Sequence, residues 1–133
     1  MQVSKHISII WTFLFLISCN ENNTLSPQFE PEITNNTDSF EFQATGVNNV
    51  TQTLTYTWEN TGTQANINQA SIITSGSATL KIEDTNGEIV YQKDLKENGN
   101  FNSVFGFSGD WKITVTLSKM SGDINFRVEK STP

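Results

Sequence analysis

Carboxylates are the only side chains in this sequence numerous enough to support acid–base chemistry. Fourteen Asp and Glu residues stand against 8 Lys and Arg, and the chain has a single histidine, His6, and a single cysteine, Cys19. A nucleophile triad needs a positioned base, usually imidazole, and a zinc site needs several Cys or His ligands. A zinc site cannot be built from one of each, and His6 lies in the first 18 residues, which are expected to be removed, so no imidazole is left for a triad. What remains is paired-carboxylate chemistry, in which two acidic side chains about 5–10 Å apart flank a glycosidic bond. Glu59, Asp84, Asp94, Glu97 and Asp110 are the candidates, all near strand ends in the assignment below. A small domain has little room for both a core and a deep cleft, so solvated loop charge is the plainer role for all five. No catalytic residue is assigned, and the chain is not expected to be an enzyme.

Two further groups could contact a ligand. Asp84-x-Asn86-x-Glu88 offers oxygen atoms at a calcium-like spacing. In the EF-hand loop, however, glycine is sixth, whereas Gly87 comes fourth, where a hairpin wants it. The motif reads as a turn, and no metal is expected. Phe101, Phe105 and Phe107 share strand parity. An exposed row of this kind stacks on sugars or anchors a partner protein. The commoner role is core packing, which is expected for these three and for Trp58 and Trp111, with ligand contact as the alternative for the Phe set. The Asn-x-Ser/Thr matches at Asn22, Asn35 and Asn49 are expected by chance in so Asn- and Thr-rich a chain. No glycine-rich loop precedes a helix to cradle phosphate, and no cofactor is implied.

Charge narrows the partners. The formal net charge is −6, and without Lys5 it is −7, with 7 basic against 14 acidic residues. Such a chain repels phosphate backbones and has no basic cluster to offset the repulsion, so nucleic acid is not a partner. The same reasoning disfavours adsorption of the protein surface to anionic lipid.

The first residues give an address. Lys5 precedes an apolar run at 7–17, ISIIWTFLFLI. As a helix, 11 residues reach about 16 Å, well short of a hydrocarbon core of about 30 Å. The length suits the apolar region of a signal peptide. The run ends in Leu16-Ile17-Ser18-Cys19, which resembles the lipobox of bacterial lipoproteins. The resemblance implies that the Cys19 thiol carries diacylglycerol, that signal peptidase II cuts before it, and that acyl chains such as palmitate hold the protein on a membrane. Two or more chains on one residue anchor stably, where one alone is marginal. Residues 1–18 are then a signal peptide. Residues 19–38 form a flexible tether, rich in Asn and Thr and carrying Pro27 and Pro31. Asn20 rather than Asp after the cysteine implies, by the same resemblance, passage to the outer membrane, with either its periplasmic or its outer face open.

Residues 39–131 read as the folded domain. Apolar and polar residues alternate in Phe40-Phe42-Ala44, Leu54-Tyr56-Trp58, Ala78-Leu80-Ile82, Trp111-Ile113-Val115-Leu117 and Ile124-Phe126-Val128, the period of half-buried strands. Weaker candidates lie at 65–74, 89–95 and 101–107, and no stretch has a helical period. Asp84-Thr85-Asn86-Gly87 is expected to turn a tight hairpin, its Asn-Gly supplying positive φ, and Lys119-Met120-Ser121-Gly122-Asp123 to turn the last one. Seven or eight short strands joined by turns predict a single antiparallel two-sheet β-sandwich. The closing pattern, Gly109-Asp110-Trp111 with alternating strands on either side of Gly122, resembles the final hairpin of immunoglobulin-like sandwich modules, of no specific named family. The expected function is a non-catalytic binding or assembly module on the cell envelope, its partner an envelope protein. A carbohydrate-binding accessory is the alternative, and a small carboxylate-dependent hydrolase the third.

Overall fold

A computed structural model of the chain describes residues 29–132. The protein is all-β and antiparallel, with β1 (Glu32–Asn36), β2 (Ser39–Asn60), β3 (Ala65–Gln69), β4 (Ile72–Glu83), β5 (Ile89–Asp94), β6 (Gly99–Asn102) and β7 (Gly109–Lys130). Cys19, the lipobox residues Leu16, Ile17 and Ser18, the signal peptide and the first part of the expected tether lie outside the described residues.

The architecture follows from two long strands. β2 and β7 have 22 residues each and pair along their whole length, from Ser39 opposite Glu129 to Asn60 opposite Gly109. In an extended strand, Phe40 and Tyr56 would stand about 50 Å apart, yet their rings lie 5.3 Å apart. The ribbon therefore folds back on itself. It does so where the register slips, between Ala44 and Gln52 of β2, opposite Leu117 to Ile124 of β7. Positive φ angles at Gly46, Asn49, Lys119 and Gly122 mark the corner. At Gly122 (φ 130) a side chain would collide with the Ile72 carbonyl, so the close approach of β4 requires glycine there.

Each half of the ribbon then belongs to a different layer. One layer runs β1, β2 (39–44), β7 (124–130), β3, β6; the other runs β2 (52–60), β7 (109–117), β4, β5. The alternating residues read from the sequence face each other between the layers. Phe40, Phe42, Ala44, Trp58, Ala78, Leu80, Ile82, Trp111, Ile113, Val115, Leu117, Ile124, Phe126 and Val128 are all buried, while Leu54 and Tyr56 are half-buried. Trp58 and Trp111 are register partners, edge-to-face with centroids 5.9 Å apart. Their indole N–H groups donate to the carbonyls of Asn36 and Phe107 at 3.1 and 2.7 Å.

The two-layer antiparallel sandwich stands; three details differ from the expectation. The strand pair around residues 119–123 is not a hairpin but one continuous bent strand, β7, because the slip and the corner leave the ladder to β2 intact on both sides. The hairpin on which the immunoglobulin-like resemblance rested is therefore absent. At the β4–β5 turn Gly87 alone has positive φ (81), with its N–H on the Asp84 carbonyl at 2.9 Å and a register shift beside Glu83. This is the geometry of a turn closed by a bulge, not the two-residue Asn-Gly hairpin. Finally, the domain begins before Ser39. β1 pairs with β2 from Glu32 opposite Gln43 onward, and Phe29 is buried in the core, so the expected tether loses residues 29–38 to the fold.

Candidate functional site

At the end of the sandwich opposite the corner, the loop 103–108 joins β6 to β7. Its sequence, Ser-Val-Phe-Gly-Phe-Ser, puts Val104 beside Phe105, and two adjacent apolar residues cannot both face one side of a strand. The chain leaves the sheet at Ser103, whose buried hydroxyl accepts the Ala65 N–H (2.9 Å) and donates to the Val104 carbonyl (2.8 Å). Beyond it, Val104, Phe105 and Phe107 are 63%, 73% and 64% exposed.

These apolar side chains stand on a fixed backbone. The N–H groups of Val104 and Gly106 donate to the carbonyls of Val90 (2.9 Å) and Thr63 (2.8 Å). Gln64 Nε2 donates to the Ser103 carbonyl at 2.8 Å, and Thr85 Oγ1 to that of Ser108 at 3.1 Å. Gly106 lies so close to Asp84 and Val90 that a Cβ would stand 2.8 Å from a carbon of each. The main anchor is the buried carboxylate of Asp84. One oxygen accepts the Phe107 N–H and the other accepts those of Asn86 and Glu88, all at 2.9 Å. The Phe107 N–H, with those of Glu88 and Asn86, holds this carboxyl below the usual carboxylate range against the opposing effect of burial. Phe105 also forms one wall of an open hollow of about 270 Å³, whose other walls are Thr63, Gln64, Ser131 and Thr132.

The other candidates are distributed differently. Phe101 does not join the exposed pair: it is half-buried against the core on β6, 6.4 Å from the Tyr91 ring, with Lys93 Nζ 4.7 Å from its centroid. The core role expected of the whole set thus fails for Phe105 and Phe107, because the parity that implied a strand breaks at Ser103. Trp58 and Trp111 are core.

Of the five carboxylates, the structure brings Glu59 and Asp110 together as register partners, both exposed on the outside of the sandwich. Asp94 caps its own turn by accepting the Lys96 N–H at 2.8 Å, and Glu97 lies 3.7 Å from Lys93. Asp84, both oxygens occupied by backbone donors, is a positioning residue for the loop. Among the described residues no group of three or more His, Cys, Asp or Glu is placed to hold a metal ion.

No protein-family model matches the chain, and no curated protein matches it. Among solved structures, the Glycosylation Associate Protein (Gap123) complex from Streptococcus agalactiae is similar at a TM-score of 0.43 and 13% identity, over 87% of this chain and 44% of that one. Procruciferin, the 11S globulin of Brassica napus, is similar at 0.39 and 15% identity, over 80% of this chain and 27% of its own. The chain thus spans less than half the length of either, and neither likeness bears on function.

Proposed function

We propose that this is a lipid-anchored, non-catalytic module of the bacterial cell envelope that docks another envelope protein through the loop 103–108. The observation that carries the reading is the combination of exposed Val104, Phe105 and Phe107 with a backbone tied down on both sides. An apolar cluster on a floppy loop loses ordering entropy when it binds; one already held in place loses little. Aromatic anchors of this sort dominate the energetics of protein contacts. The anchor and the outer-membrane address rest on Leu16-Ile17-Ser18-Cys19 and Asn20.

A second reading, a carbohydrate-binding accessory, has one observation in its favour. The Phe105 ring borders a hollow whose other walls carry the polar side chains of Thr63, Gln64, Ser131 and Thr132, the mixture of ring and hydrogen-bonding groups that sugars use.

A photoreactive phenylalanine analogue at position 105 of the full chain, irradiated in intact envelopes, distinguishes the two. The first reading expects a discrete protein adduct that disappears with Phe107→Ser and does not form when the analogue replaces exposed Thr116. No protein adduct, together with binding heat on titration with a glycan panel that Phe105→Ser abolishes, would favour the second. Neither signal would sink the loop as a contact site. Both serine substitutions are at exposed positions and should change stability by no more than about 0.5 kcal/mol.

A further inference from the structure

The sandwich has four free edges, and three are blunted in the ways that natural sheets avoid edge-to-edge pairing. β1 has five residues and carries Glu32, β6 has four, and β5 has six and carries Lys93 and Asp94. The fourth, the second half of β2, has neither protection. From Ala44 to Trp58 it contains no charged residue and no proline. Its β7 side is fully paired; its other side meets no strand among the described residues.

Which backbone groups face outward is fixed by two contacts. The Thr57 carbonyl accepts from Asn35 Nδ2 and the Glu59 carbonyl from the Asp38 N–H, both at 2.9 Å and both from the side away from β7. Alternation in an antiparallel ladder then directs the N–H and C=O of Thr53 and Thr55 outward as well, with no partner among the described residues. The open stretch is closed at one end by Asn35 and at the other by the register slips between Val47 and Gln52. It is short, and Leu54 is its midpoint.

We infer that this edge pairs with the same edge of a second copy of the chain, antiparallel about a two-fold axis at Leu54. Thr53 of each copy lies opposite Thr55 of the other and exchanges both backbone hydrogen bonds with it, which uses the N–H and C=O of both threonines on each edge. The side chains suit this register. Thr53 and Thr55 already face Thr116 and Thr114 across the ladder to β7, and the second copy extends the same rows of threonine on the outer face. On the inner face it brings half-buried Leu54 of one copy opposite Leu54 of the other, with half-buried Tyr56 opposite Gln52 on either side. A longer foreign strand would run into the Asn35 side chain at one end and the corner at the other, whereas the self-pair ends before both. The contact itself is uncharged, but each copy carries a net charge of −6, so pairing should strengthen as salt screens the repulsion.

The test is disulfide trapping in the full chain, in envelope membranes treated with a thiol oxidant. Leu54 faces its counterpart in a non-hydrogen-bonded pair, with Cα atoms about 4.5 Å apart, within disulfide range. Leu54→Cys should give a covalent dimer, increased several-fold between low and moderate salt, while Thr116→Cys and the wild type, whose only cysteine is Cys19, give none at that mobility. Adding Thr55→Pro to Leu54→Cys removes an N–H that the single copy does not use, a substitution edge strands tolerate. Thr53→Lys with Thr55→Lys places like charges on the edge without touching the backbone. Both backgrounds should abolish the dimer. A Leu54→Cys dimer no more abundant than that of Thr116→Cys, or one that survives the proline and lysine backgrounds, would overturn the inference.

Discussion

The carboxylate of Asp84 accepts the backbone N–H of Phe107 at 2.9 Å, linking the β4–β5 turn to the exposed aromatic loop 23 residues further along the chain. The same carboxylate organises its own turn through Asn86 and Glu88. Its folded-state pKa is depressed, so the stability it contributes is complete above the ordinary aspartate value near 3.9 and disappears as pH falls through the lowered value. Asp84→Asn should cost about 1.5–3 kcal/mol at pH 7 by weakening the charge-assisted bonds to three backbone donors. The difference in melting temperature between the two proteins should narrow steadily below pH 4. A gap that stayed constant down to pH 2 would show that the Asp84 charge does not hold the turn.

Replacing Trp58 by alanine should be the costlier of two core lesions. Trp58 is fully buried, packs edge-to-face on Trp111, and donates to the Asn36 carbonyl that ends β1. Loss of about 3–5 kcal/mol in urea unfolding is expected. Trp111→Phe keeps a ring in the pair but frees the Phe107 carbonyl, and its smaller cost should be accompanied by faster amide exchange in the loop 103–108.

At the corner, Gly122→Ala places a methyl group into the Ile72 carbonyl at a φ that L-residues avoid. The strained backbone alone costs of order 1–3 kcal/mol, and the collision should add to it by loosening the pairing of β4 with β7. Denaturant unfolding measures the first effect. Exchange at Ile73, the register partner of Gly122, measures the second.

The anchor is tested separately from the fold. Cys19→Ser should leave the chain unprocessed, and labelled palmitate should mark only the wild type. Equal labelling of both would remove the lipid from the proposal while leaving the sandwich as described.

Much of the core was legible because alternation is a local signal. Every inward residue of the halves of β2 and β7 had the right parity in the sequence. The continuity of those halves was not legible, since the corner residues Gly46, Asn49, Lys119 and Gly122 look like turn chemistry, and only pairing with a distant partner shows that the strand continues. β1 was missed for another reason. Glu-Ile-Thr-Asn-Asn carries one apolar residue, and its pairing with β2 comes from a tight two-residue turn at Thr37 and Asp38, the latter at φ 68. The exposed loop was half legible. The adjacency of Val104 and Phe105 departs from the one-sided alternation that implied a strand at 101–107, but nothing local shows that an aspartate 23 residues before Phe107 holds the loop's backbone.

The pairing of β2 with β7 also sets the order in which the molecule can be made. Apart from short β1, the opening long strand finds its ladder partner only in the closing one, with Ser39 opposite Glu129, so neither layer has its central pair until nearly the whole described chain has been synthesised. Contacts so distant along the chain close slowly. Until they do, the uncharged stretch around Leu54 lacks even the neighbour that covers one of its sides in the folded sandwich.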